Sequence, residues 1–127
     1  MTTGNPMRPL LLLALLALVP LTVTAADCEL ALIKAETVAG LGRAAADTVN
    51  FYDAQTLAAD ARIPAMDGAK QSTLCGCPEA VPFFLAAKTA SERVNVTQFL
   101  EAMKSYGMAI TENGDKALAA LRACAAR

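Results

Sequence analysis

The apolar pattern of this chain changes character once. Leu10 to Val19 is an almost uninterrupted Leu/Ala run, whereas beyond Asp27 apolar residues recur every three or four positions. Val38, Leu41, Ala45, Val49 and Tyr52 share one helical face at that spacing, and Leu30 and Ile33 begin a neighbouring stripe. The stretch from Asp27 to Ala61 is rich in Ala, Leu, Lys and Glu and lacks proline, so it reads as helix. Asp27 is placed to cap it, and Glu29 suits the positive end of the helix dipole. Unbroken, it would extend about 52 Å at 1.5 Å per residue. Gly40 and Gly42 each cost roughly 1 kcal/mol relative to alanine in a helix interior. They predict a kink or short break near Gly40, or the close approach of another helix.

Arg62 to Gly76 reads as a loop. Pro64 biases Ile63 away from helical geometry, and Asp67-Gly68 is a turn signal. Pro78 and Pro82 both suit a helix start, which places a short helix from Pro78 or Val81 to Ser91. Val81, Phe84, Leu85 and Lys88 lie along one side of it, and Phe83 points elsewhere. Asn95 followed by Gln98 fits a helix N-cap. The helix it opens carries Phe99, Met103 and Tyr106 in line, with Leu100 beside them, and Gly107 reads as its stop. A last helix from about Asn113 to Ala125 turns Ala117, Leu118, Leu121 and Cys124 inward. No strand-length alternation occurs anywhere. The expected fold is all-α, a small bundle of four to five helices.

Four cysteines add a covalent plan. Cys28 lies 47 positions before Cys75, and Cys124 lies 47 after Cys77. Bridging Cys75 to Cys77 would close a very small ring, against a usual Cα separation near 5.5 Å. The middle pair therefore joins the outer two, as two disulfides. The pairing is either Cys28–Cys75 with Cys77–Cys124, or the crossed alternative, and spacing does not choose between them.

The N-terminal run fixes the compartment in which those bridges would form. Arg8, the apolar stretch and the small residues Thr24-Ala25-Ala26 have the layout of a signal peptide over 1–26. Asp27 before Cys28 departs from a lipoprotein cleavage site. That leaves 27–127 as a single stapled domain in the periplasm or outside the cell, without stable membrane insertion after cleavage. Losing Arg8 leaves ten basic against twelve acidic residues, a net charge of −2. With no basic cluster there is no footprint for nucleic acid.

Composition also removes chemistry. The chain contains no histidine, so Ser-His and Cys-His catalysis and the commonest zinc ligand are absent. No phosphate-binding glycine loop follows a strand. Asp47, Asp53, Glu79 and Glu92 are spread along apparent surface faces. Asn95-Val96-Thr97 matches a glycosylation acceptor but serves equally as a helix start. No cofactor is expected.

The remaining class is a non-enzymatic exported protein acting through protein–protein contacts, such as an inhibitor, an immunity protein or an envelope accessory protein. Its partner would be another envelope or secreted protein, and the candidate interaction patch is Phe83, Tyr106 and Met108. The alternative is a thiol redox or soft-metal protein working through Cys75 and Cys77, with Met66, Met103 and Met108 as further soft donors.

Overall fold

The computed structural model describes residues 28–127. The signal peptide expected over 1–26 and the helix cap expected at Asp27 fall outside the described residues. The rest is helical, with no strand among the described residues. Five α-helices occur: α1 Glu29–Asp47, α2 Phe51–Asp60, α3 Arg62–Leu74, α4 Val81–Arg93 and α5 Leu100–Ala125. Short 3₁₀ turns at Pro78–Ala80 and Val94–Val96 flank α4. Only Ala61, itself in helical geometry, separates α2 from α3, so the two act as one bent rod.

Four rods thus run up, down, up and down. α1 leaves the cysteines, α2 and α3 return to them, α4 leaves, and α5 returns. Neighbouring rods pack as antiparallel pairs, α1 against α5 most extensively, then α4 against α5 and α3 against α4. The result is an antiparallel four-rod bundle with short connections.

The core explains how rods with so few bulky residues pack. Among the described residues, twelve of the twenty-one buried apolar residues are alanine. The large ones are Phe84, Met103, Ile110, Leu121, Val38 and Val94. Small side chains allow the backbones to approach closely. A Cβ on Gly42 would stand 2.5 Å from the Thr111 backbone nitrogen, and one on Gly107 would stand 2.8 Å from the Gly42 carbonyl oxygen. Thr111 Oγ1 donates to the Ala39 carbonyl at 2.9 Å across the same seam.

This packing corrects several expectations. α1 passes through Gly40 and Gly42 and ends instead at Thr48, whose backbone is extended. Asn50 restarts the chain by accepting hydrogen bonds from the Tyr52 and Asp53 amides at 3.0 and 3.1 Å. The break turns Val49 and Tyr52 out of the stripe, which keeps Val38 and Ala45 buried. Leu30 and Ile33 are exposed, because Ala31 and Ala35 take the inward positions.

The expected loop at 62–76 is mostly helix α3. Pro64 sits in its first turn, where no backbone donor is needed. Gly68 is a packing position and not a turn, since a Cβ there would enter the Phe84 ring. Gly107 likewise lies inside α5, which is one helix of 26 residues and not two. Asn95 lies in the 3₁₀ turn, and Phe99 occupies the position before α5. Leu85 is exposed, while Phe84, Ala87 and Ala90 face the core.

Candidate functional site

Two ends of the bundle carry features beyond packing. The first is the stapled end. α3 terminates in a Schellman motif, in which the Gly76 amide donates to Thr73 O at 3.2 Å and the Cys77 amide to Ser72 O at 2.9 Å. Gly76 adopts a left-handed φ of 82°, the conformation this stop requires. The turn sends Cys75 and Cys77 toward different helices, and Pro78 then begins the next helical turn.

The disulfides join Cys28 to Cys75 and Cys77 to Cys124, with Cα separations of 5.2 and 5.9 Å. They bind the start of α1 and the end of α5 to the same turn of chain around Gly76. The bridges touch each other, with Cys28 Sγ 3.4 Å from Cys77 Sγ. Cys28, Cys75 and Cys77 are buried, while Cys124 is only partly so. The sulfurs of Cys28, Cys75 and Cys77 lie within 4.8 Å of one another. As disulfide sulfurs they are not thiolates, the species that ligates metals. Met103 is in the core, and Met66 and Met108 are exposed on α3 and α5.

The second feature is at the open end, opposite the sulfurs. Two connections meet there, Thr48–Asn50 between α1 and α2, and the stretch from Val94 to Phe99 between α4 and α5. They are held together because α2 packs on the 3₁₀ turn and on α5. Gln55 Nε2 also donates to the Val94 carbonyl at 3.3 Å. The four most exposed large apolar side chains among the described residues all lie here: Val49 at 82 %, Val96 at 81 %, Tyr52 and Phe99 at 75 %. Phe51 stacks edge-on to Tyr52 with ring centroids 5.5 Å apart and anchors it to the core edge.

Carboxylates frame this end. Asp47, Asp53 and Glu101 are exposed, and none has an ion-pair partner among the described residues. From Asp47 an open groove of about 420 Å³ runs along the α1–α5 seam, lined by Arg43, Ala46, Met108, Thr111, Glu112 and Asp115. Within the groove Asp115 pairs with Arg43 and Glu112 with Lys116, and further carboxylates are partnered elsewhere. Glu79 accepts from Arg127 at 2.9 Å and Glu92 from Lys88 at 2.7 Å. A backbone hydrogen bond, then the Arg127 contact, lowers the Glu79 pKa, and the Lys88 hydrogen bond lowers that of Glu92.

No protein-family model, no curated protein and no solved structure matches this chain. Phe83 and Tyr106 are partly buried and pack on the core, and Met108 is exposed in the groove. Tyr106 and Met108 are two residues apart on α5, roughly 200° around the helix, so the three form no common face. No local pattern in the chain signals the open-end surface directly. Its one hint was Thr48-Val49-Asn50, where a capping residue stands beside an apolar one.

No helix among the described residues is long and apolar enough to cross a membrane.

Proposed function

We propose that this protein is an exported, non-enzymatic binding module that docks through its open end. The observation that carries the reading is the gathering of Val49, Tyr52, Val96 and Phe99 at one end of a covalently closed bundle. Soluble monomers rarely concentrate their most exposed large apolar residues in one place unless something covers them. Nothing in packing requires it here, since all four lie outside the core.

The partner is a protein with an apolar depression rimmed by Lys or Arg. Asp47, Asp53 and Glu101 surround the tip with no ion-pair partner among the described residues, whereas Glu112 and Asp115 along the Met108 groove are paired with Lys116 and Arg43. Charge complementarity of this kind sets register and association rate more than affinity. The apolar centre supplies the affinity. Export is supported by the signal-peptide layout of 1–26 and by two disulfides, which persist in oxidising compartments. The absence of histidine supports a non-catalytic role.

The test compares wild type with Val96→Ser/Phe99→Ser in capture from the envelope fraction of the exporting cell. Both side chains are outside the core, so helical circular dichroism should be unchanged. The expected result is a protein held by wild type, lost by the variant, and released by raised salt. Equal retention by both would refute the reading. Self-association of wild type that the variant abolishes would assign the surface to a second copy instead. Binding to phosphatidylethanolamine–phosphatidylglycerol vesicles that the variant abolishes would assign it to a membrane.

A further inference from the structure

We infer that Cys124 is a reaction site for dithiol reductants, and that its opening passes the freed Cys77 sulfur onto Cys28. The two bridges close loops of equal length, but they differ in access. Cys28 and Cys75 are both buried, at 3 % and 6 % exposure, whereas Cys124 is partly exposed. Thiol–disulfide exchange depends on which sulfur an attacking thiolate can reach. Here that sulfur is Cys124 Sγ.

The steps balance. A reductant thiolate attacks Cys124 Sγ, forms a mixed disulfide with it, and expels Cys77 as a thiolate. The reductant's second thiol then resolves the mixed disulfide, leaving Cys124 as a thiol and the reductant as a cyclic disulfide. Two electrons have entered the protein. The Cys77 thiolate is already in contact with Cys28 Sγ at 3.4 Å. It attacks that sulfur, the Cys28–Cys77 bond forms, the Cys28–Cys75 bond breaks, and Cys75 leaves as a thiolate. This second exchange is redox-neutral.

In the starting form Cys77 stands off the Cys28–Cys75 axis, because all three sulfurs fit within 4.8 Å. The in-line approach therefore requires rotation about the Cys77 Cα–Cβ bond. The bond to Cys124 prevents that rotation until it is cut. The exchange untethers the end of α5 while α1 stays covalently joined to the Gly76 turn.

The experiment uses the folded mature protein with limiting dithiothreitol, an acid quench, thiol alkylation and fragmentation that separates residues 75 and 77. The expected singly reduced species carries label on Cys124 and Cys75, with Cys28 joined to Cys77. Label confined to Cys124 and Cys77, with Cys28–Cys75 intact, overturns the exchange. Label appearing first on Cys28 and Cys75 overturns the assignment of Cys124 as the entry point. A second arm uses Cys124→Ser, which frees Cys77 without reductant. Label must then appear on Cys75, which the fully oxidised wild type never labels, and label on Cys77 alone overturns the proposal.

Discussion

At Gly68 an added methyl group would enter the Phe84 ring, and Phe84 is fully buried with nowhere to retreat. At Gly40, in the middle of α1, the same methyl would meet nothing within 4 Å. The two alanine substitutions therefore have opposite signs. Gly40→Ala should raise stability by about 0.5–1 kcal/mol, the helix-propensity difference. Gly68→Ala gains the same propensity but overpacks the core, and a net loss of about 1–2 kcal/mol is expected. Gly76 separates space from conformation. It too has nothing within 4 Å, yet its φ is 82°. Gly76→Ala should cost about 1–2 kcal/mol, the penalty of the left-handed region for an L-residue. Urea midpoints of the three variants check the ranking, which reverses for Gly76 if the Schellman turn is not the reason for that glycine.

Helices are units whose faces are set by what their neighbours tolerate. α1 and α5 meet along Ala39, Gly42, Gly107 and Gly114, where backbone lies against backbone. Gly107→Val would place branched carbon against the Gly42 carbonyl and the Ala46 amide, at 2.8 and 2.9 Å from the Cβ alone. Backbone cannot rotate away as a side chain does, so the seam must open. A loss of about 3 kcal/mol is expected in chemical denaturation. Gly107→Ala should fall between that variant and wild type.

The same seam explains what could be read from the chain in advance. Helix content and the 28–75–77–124 cysteine plan were legible, because periodicity and spacing are local quantities. The breaks were not. Gly107, and the Asp67-Gly68 pair, carry the usual signals for stops and turns, but here they are the small residues that let alanine-lined rods touch. Conversely, Thr48-Val49-Asn50 continues the apolar period of Val38 and Ala45, so the break that exposes Val49 and Tyr52 was hidden inside the stripe. The open-end surface depends on that break, and on α2 bringing two distant connections together, which no local pattern encodes.

For the molecule as a whole, two balances follow. The first is between core and staples. Each bridge closes a loop of 47 residues by sequence separation, for which the chain-entropy account gives about 4 kcal/mol. Native domains hold only about 5–15 kcal/mol in total. With twelve alanines among the buried apolar residues of the described chain, this core has little to spare. Full reduction should therefore abolish cooperative thermal unfolding near physiological temperature, which circular dichroism with and without phosphine reductant will show. The second balance is protonic. The chain has no histidine, and no cysteine among the described residues is free, so no side chain of either type titrates near neutrality. Glu79 and Glu92 have lowered pKa values in the folded state, through hydrogen bonds to backbone and Arg127, and to Lys88. A lowered carboxylate pKa contributes stability above the ordinary carboxylate range, and loses it as pH falls through the folded-state value. Both groups are exposed, so salt should screen the contribution. The expected profile is a thermal midpoint that is level from about pH 6 to 8 and declines only below the ordinary carboxylate pKa of about 4.3. Glu79→Gln with Glu92→Gln should flatten that acid decline. A midpoint that instead changes between pH 6 and 8 would require a titrating group that these residues do not supply.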